Sequence, residues 1–300
     1  DPYLIRNVND LKLLAEKVNG GTDYANTHFK QTADIDLKNE PNWTPIGKSR
    51  RPFQGTFDGD GYQITNLKIS NGGQYAGLFG YTEGAVIKSC NVTGEINGYN
   101  QTGGIVGYAN NNTHILNCSF QGNVEGDGEE RGGIVGHTSS GCEVSGCFVT
   151  GTVTGDREVG GIAGSGVGTI KNCYALANVT ARDRIAGGIA GGTYNLTIEN
   201  CYYGGDVLAK NYAGGIAGVM DSTSGSSTTI QNCVSLAESV TAGINSVNRI
   251  AGGVRDNINL INNHSYNRTK LVINGKPAYP TGGAGNDVIG ADVYISNGKV

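Results

Sequence analysis

Along much of this chain, hydrophobic and polar positions alternate in short bursts, and each burst starts from a cysteine. Cys90-Val92-Gly94-Ile96, Cys118-Phe120-Gly122-Val124 and Cys147-Val149-Gly151-Val153 share one pattern, and Cys173-Ala175-Ala177-Val179 and Cys201-Tyr203-Gly205-Val207 follow it. Every second residue is apolar or small, and most of those between are polar. That period predicts a β-strand with one buried face. Each cysteine closes a short element reading IKSC, ILNC, VSGC, IKNC, IENC or IQNC, and INNH places His264 in the same slot of a decayed copy. The Ile-to-Cys step is three residues, which breaks the alternation, so a bend is expected between them. Asn117, Asn172, Asn200 and Asn232 stand just before their cysteines. Asn tolerates the left-handed conformation that such a corner needs.

A second element keeps the same beat. YAGLFGY at 75 recurs as TGGIVGY at 102, RGGIVGH at 131, VGGIAGS at 159, AGGIAGG at 186 and AGGIAGV at 213, with AGGVRD at 251 as a decayed copy. Their second glycines are Gly77, Gly104, Gly133, Gly161, Gly188, Gly215 and Gly253, in steps of 27 to 29 residues with a last one of 38. A unit this short cannot bury its own apolar face. Stacked units bury a continuous one. The expected fold is all-β, a parallel β-helix (β-solenoid) of about seven coils of roughly 27 residues, right-handed by the crossover rule. Helical repeats fail, because each interior glycine of GGIAG costs about 1 kcal/mol relative to alanine in a helix.

The ends depart from this beat. NVNDLKLLAEKVNGG predicts a helix with Asn7 or Asn9 as N-cap, one face of Leu11, Leu14, Ala15 and Val18, and a stop at Gly20 or Gly21. HFKQTADIDL, NWTPIG and FQGTFDGDGYQITNLKI read as strands and turns. The expected division is 1–72 as an N-terminal capping segment that contains the helix, 73–267 as the solenoid, and 268–300 as C-terminal capping strands, with KLVINGKPAY and DVYISNGKV closing the last coil. Caps of this kind keep the open ends from pairing edge to edge.

YAGLFGY followed by repeated GGIVGY and GGIAG resembles the GLUG motif of bacterial surface proteins. The leading block, from YLIRNVNDLKLLAEKVNGG to FQGTFDGDGYQITNLKI, is similar to the segment that precedes such repeats. The resemblance covers roughly residues 3 to 240. It implies an exported β-helical region of large proteins, among them adhesin-like proteins and IgA1-cleaving metallopeptidases whose repeats lie outside the catalytic domain. It implies no catalytic residues, because the motif carries no assigned chemistry. Arg255 and His264 depart from the pattern and mark the end of the coil.

Composition agrees with a coil. Glycine supplies 50 of 300 residues, charged residues only 16%, and the net charge is −4 without a run of either sign. A nucleic-acid backbone would meet no basic stripe. No run of 18 apolar residues is present, so no membrane span is expected, and DPYLIRNVND is not a signal peptide. An extracellular or cell-surface location and a monomer are expected, with a host or cell-surface glycan or an extracellular protein as partner.

Candidate chemistry is sparse. The four histidines, His28, His114, His137 and His264, show no His-Glu-x-x-His spacing. GSGVGTIKN at 164 lacks the Gly-Lys-Ser/Thr ending of a phosphate loop. The laddered cysteines read as buried small hydrophobes rather than metal ligands or disulfides. Cys142 lies outside the ladder, and a bond to Cys147 is the weaker of its readings. Asp58 with Asp60, and Asp127 with Glu129, are weak calcium candidates whose ordinary role is a solvated turn. Acidic loops beside Arg131, Arg157, Arg182 and Arg184 look mutually compensating. The residue after each cysteine points outward, and in successive units it is Phe148, Tyr174 and Tyr202, beside Thr150, Leu176 and Asn178. Stacked, these rings form either a glycan- or protein-binding strip or a ladder that supports the sheet. The expected function is a non-catalytic adhesin or stalk module. The alternative is a polysaccharide lyase or glycosidase on the same scaffold, which would need paired carboxylates in a cleft.

Overall fold

The computed structural model describes residues 1–222, 226–255 and 257–279, together with the strand Ala291–Val293. One coil runs through four short strands. In the coil that starts at His114 these are a return strand, His114–Leu116, a Cys-face strand, Ser119–Glu125, an entry strand, Glu130–Gly132, and an exit strand, Val135–Thr138. Each pairs in parallel with its counterparts in the coils before and after. In Ala163–Lys171 and Ala190–Glu199 the exit and return strands fuse into one.

The corners are those the alternation required. Asn117, Asn172, Asn200 and Asn232 have φ between 52° and 54°, and Ser89 and Gly146 take the same left-handed region in their coils. The turn reverses the inward direction over one residue, so Ile115 and Cys118 both face the axis. Ile87, Ile115, Val144, Ile170, Ile198 and Ile230 are buried in line, as are the cysteines beside them.

The stack has ten levels rather than seven. Tyr3–Ile5, His28–Gln31 and Thr56–Asp58 pair in parallel below Val86–Lys88, while Ile35–Asp36 and Gln63–Ile69 lie below Asn91–Asn97 on the Cys face. These strands lack the Gly-Gly and Cys signatures because large side chains fill their interior. Phe29, Phe53, Phe57 and Phe79 pack ring against ring where later coils place small residues. Ten levels at about 4.8 Å make a rod about 43 Å long between the first and last.

The helix Val8–Gly20 has the expected caps. Asn7 Oδ1 accepts from the N–H groups of Asn9 and Asp10 at 2.9 and 3.1 Å, Gly21 closes the helix at φ 100°, and Leu11, Leu14, Ala15 and Val18 are buried. At the other end Lys270–Ile273 and Lys276–Ala278 form an antiparallel hairpin, turned by Asn274 and Gly275 at φ 48° and 71°. The remainder of DVYISNGKV, beyond Val293, lies outside the described residues.

Register corrects two assignments in the last coil. Val234 pairs with His264, so the cysteine slot belongs to Asn263 and His264 points outward. Ala217 pairs with Ala251, so AGGV at 251 continues the exit strand, and Arg249 rather than Gly253 fills the second-glycine slot opposite Gly215. Local likeness of AGG misaligned the unit. The alternation of buried residues fixes it, with Val247 and Ile250 facing inward.

Candidate functional site

The Phe148, Tyr174 and Tyr202 rings stack as a ladder. Their centroids are 5.1 and 5.0 Å apart, with interplanar angles of 6° and 4°. Parallel register places each ring directly over the last, because the three positions follow the cysteine in successive coils. The ring faces are therefore turned on one another. The outer face of Phe148 has Ser119 as its register neighbour and that of Tyr202 has Val234, and beside them Leu176 is 46% exposed. Burial raises the Tyr202 hydroxyl above its ordinary pKa.

The four carboxylates considered for calcium are engaged by cations. Asp58 meets Lys88 at 2.9 Å, Asp60 meets Lys30 at 3.0 Å, Asp127 meets Arg182 at 3.2 Å and Glu129 meets Arg157 at 2.6 Å. Among the described residues no three His, Cys, Asp or Glu side chains converge. Arg182 also reaches Asp156 at 3.0 Å. Arg131 differs from the expected surface pairing. It holds an inward position in register with Thr102 and Val159, is fully buried, and donates from Nη2 to the carbonyls of Gly98 (2.9 Å) and Tyr99. Burial lowers its pKa to about 10.

All seven cysteines are free and buried. The left-handed corner aims the Cys118 N–H along the axis, where the Cys147 sulfur accepts it at 3.4 Å, and Cys147 N–H meets Cys173 in the same way. Asn263 does the same for Cys233 through its side-chain oxygen at 3.0 Å. The ladder thus uses cysteine as a small apolar residue that is also a weak acceptor. Burial pushes the Cys90 thiol up to about 12 and holds Cys147 well above its ordinary value, so neither is a nucleophile at neutral pH.

Sequence reasoning missed a second aromatic array. Outward residues of the entry and exit strands face each other across a seam, because Gly107 and Gly136 let the two backbones touch: a Cβ on Gly136 would lie 2.4 Å from the Thr102 nitrogen. Along the seam Tyr81 stacks on Tyr108 (4.9 Å, 1°) and Tyr108 on His137 (4.7 Å, 21°), with Tyr75 edge-on to both tyrosines. His137 Nδ1 lies 2.7 Å from Glu130 Oε1, and Gln101 Nε2 donates to Glu130 Oε2 at 2.7 Å. Ser165 follows His137 in register, which brings serine, histidine and glutamate together. This is not a hydrolytic triad. Ser165 Oγ makes no hydrogen bond to any described residue and the residue is 1% exposed, so it has neither a base nor access to substrate. The last letters of YAGLFGY, TGGIVGY and RGGIVGH carried the signal for this array.

The fold and these arrays define a parallel β-solenoid built from a glycine-rich repeat. The GLUG motif family model matches residues 98–125, one coil, and the neighbouring coils repeat the pattern of that stretch. Curated relatives share parts of it. A candidate Gly-rich membrane protein of Evansella cellulosilytica is 33% identical over 102 residues, 32% of this chain and 11% of that protein. Halomucin of Haloquadratum walsbyi is 39% identical over 87 residues, 27% of this chain and 1% of that protein. The match therefore spans a small fraction of either relative. Among solved structures, a candidate immunoglobulin A1 protease from Bacteroides ovatus superposes with a TM-score of 0.66 at 23% identity, over 98% of this chain and 84% of that one. A structure described as IgA1 protease gives 0.65 at 20% identity, over 87% of this chain and 21% of that one. At these identities the likeness is one of fold. Among the described residues no helix is long and apolar enough to cross a membrane.

Proposed function

We propose that this chain is a non-catalytic β-helical module of an exported bacterial surface protein, acting as adhesin or stalk, and that Phe148, Tyr174 and Tyr202 mark a strip that contacts host glycan or protein. The observation that carries this reading is the contrast between charge and surface. The carboxylates at 58, 60, 127 and 129 are taken up by lysines or arginines of other coils, while the Cys face presents mostly Thr, Asn and Gln, with Glu95 and Glu125 beside Lys68. Paired carboxylates free to act as acid and base are what the glycosidase reading needs. The names of the relatives that share the repeat, a Gly-rich membrane protein and a halomucin, support a surface location. In this reading residues 1–72, which supply the first levels of the stack and the helix Val8–Gly20, and residues 268–300 protect the ends of the 73–267 coil.

The strip would act through edges and hydroxyls, since its ring faces cover one another. The test is binding of purified protein to a glycan array and to immobilised extracellular-matrix proteins, beside the F148A/Y174A/Y202A variant. Loss of binding in that variant is expected. Retention would remove the strip from the reading. Depolymerisation of any polysaccharide by the wild type would replace the reading with the enzymatic one.

A further inference from the structure

We propose that a groove on the Cys face binds an uncharged linear polysaccharide lying along the solenoid axis. This rests on the surface-module reading above and names its ligand class and a site beyond the aromatic strip. The groove has a volume of about 800 Å³ and is lined by residues of four neighbouring levels, among them Asn66, Thr93, Gln121 and Asn123.

Glycine is part of its lining. Gly94, Gly122 and Gly151 lie in register at positions where a regular strand would send a side chain inward. A Cβ there would meet the carbonyl oxygen of the preceding coil, Leu67 at 2.1 Å, Gly94 at 1.9 Å and Gly122 at 2.0 Å. Gly122 and Gly151 take φ of 144° and 119°, open to glycine and strained for other residues. A bulge between Ile64 and Leu67 begins this irregular track. The missing Cβ atoms let neighbouring coils close on one another at this track, and Gly94 and Gly122 line the groove between the outward residues Thr93, Glu95, Gln121 and Asn123.

One end is walled by Lys38, Glu40 and Pro41. Lys12 of the helix holds this wall through both Glu40 oxygens at 2.9 Å, and Asn66 donates to Asp36 at 2.7 Å just before it.

The outward residues decide the ligand. Gln121 and Asn123 repeat, one level on, the positions of Thr93 and Glu95, and Thr150 and Thr152 repeat them again. Amides and hydroxyls both donate and accept, which matches sugar hydroxyls. Lys68 and Glu95 are register partners of opposite charge, Glu40 is paired to Lys12 and Lys38 to Asp36, so the lining favours neither an anionic nor a cationic chain. The levels repeat at about 4.8 Å, close to the advance of one sugar in an extended β-linked chain, so successive sugars meet equivalent groups.

The test uses calorimetry and affinity electrophoresis of the whole chain with β-1,4-linked gluco- and manno-oligosaccharides of increasing length, with alginate and heparin as acidic comparators. Affinity for the neutral series should rise with length and level off at about three or four sugars, the span of four levels. Gln121→Ala with Asn123→Ala should weaken binding by about tenfold or more, and Thr93→Trp should block it, both with unchanged circular dichroism. Neutral-glycan binding that survives both variants but is lost in F148A/Y174A/Y202A overturns the groove and leaves the strip. Binding confined to alginate or heparin, and lost in salt, overturns the ligand class. Capture of a matrix protein without any glycan overturns the groove while leaving the module reading intact. Failure to bind any probe overturns the groove and leaves the stalk form of the module reading.

Discussion

Gly104 and Gly188 show what the second glycine of each repeat does. A Cβ on Gly104 would lie 2.2 Å from the Phe120 ring, and one on Gly188 would lie 2.3 Å from the Tyr203 ring. The coil is so narrow that one wall must give up its side chain where the other carries a large one. Gly188→Ala should therefore cost about 1–3 kcal/mol, measured by urea unfolding, through overpacking. Tyr203 is fully buried, and its hydroxyl donates to one and lies near the other of two carbonyl oxygens, those of Ala177 at 2.9 Å and Asp206 at 2.8 Å. Arg131 is a different case. Its Nε and Nη1 have no hydrogen-bond partner among the described residues, so the buried guanidinium is poorly compensated. Arg131→Met keeps the volume and should be near neutral or stabilising, whereas Arg131→Ala leaves a cavity and should cost about 2–5 kcal/mol, and paired melts separate the two.

At the scale of elements, the helix and the corners were legible because their signals are local. An N-cap, an i, i+3, i+4, i+7 apolar face and a terminal glycine all lie within fifteen residues, and Asn7→Ala should cost about 1 kcal/mol in thermal unfolding. The cysteine ladder was legible as a buried rung for the same reason. A thiol reagent should label none of the seven cysteines in the folded protein and all seven in denaturant; labelling of Cys142 in the native state would contradict its burial beneath the Ala109 carbonyl. The seam was not legible. Gln101, Glu130 and His137 meet through a glycine-lined reversal whose closeness depends on the packing of two backbones, and single-letter patterns do not report that distance. Arg131 was misplaced for a related reason. It ends an acidic run, EGDGEER, and only its register with Val159 shows that it turns inward.

The whole molecule behaves as a stack of neighbours, so titration of many equivalent buried groups adds up. Cys90, Tyr81 and Tyr194 have pKa values raised to about 12, mainly by burial. In the unfolded chain such groups lose protons near their ordinary values of about 9 to 10. The unfolded state then binds fewer protons than the folded one, and stability falls as pH rises. Melting temperature should be flat through neutral pH and decline from about pH 9 towards 12, each group adding up to about 1.4 kcal/mol per pH unit. A flat profile to pH 11 would show that these side chains are solvated.

The sequence by itself determined the repeat, the parallel coil, the left-handed corners and the ring ladder, because each depends on residues within one coil or on copies at a constant period. Tertiary structure decided the rest. It brought the first seventy residues into the same stack through aromatic interior packing that carries no repeat signature. It set the register of the last coil, where a longer loop moved Arg249 into a glycine slot. It also placed Gly94 and Gly122 together in the lining of one groove. In each case the deciding contact lies between coils, and inter-coil register depends on loop lengths and interior volume rather than on any local pattern.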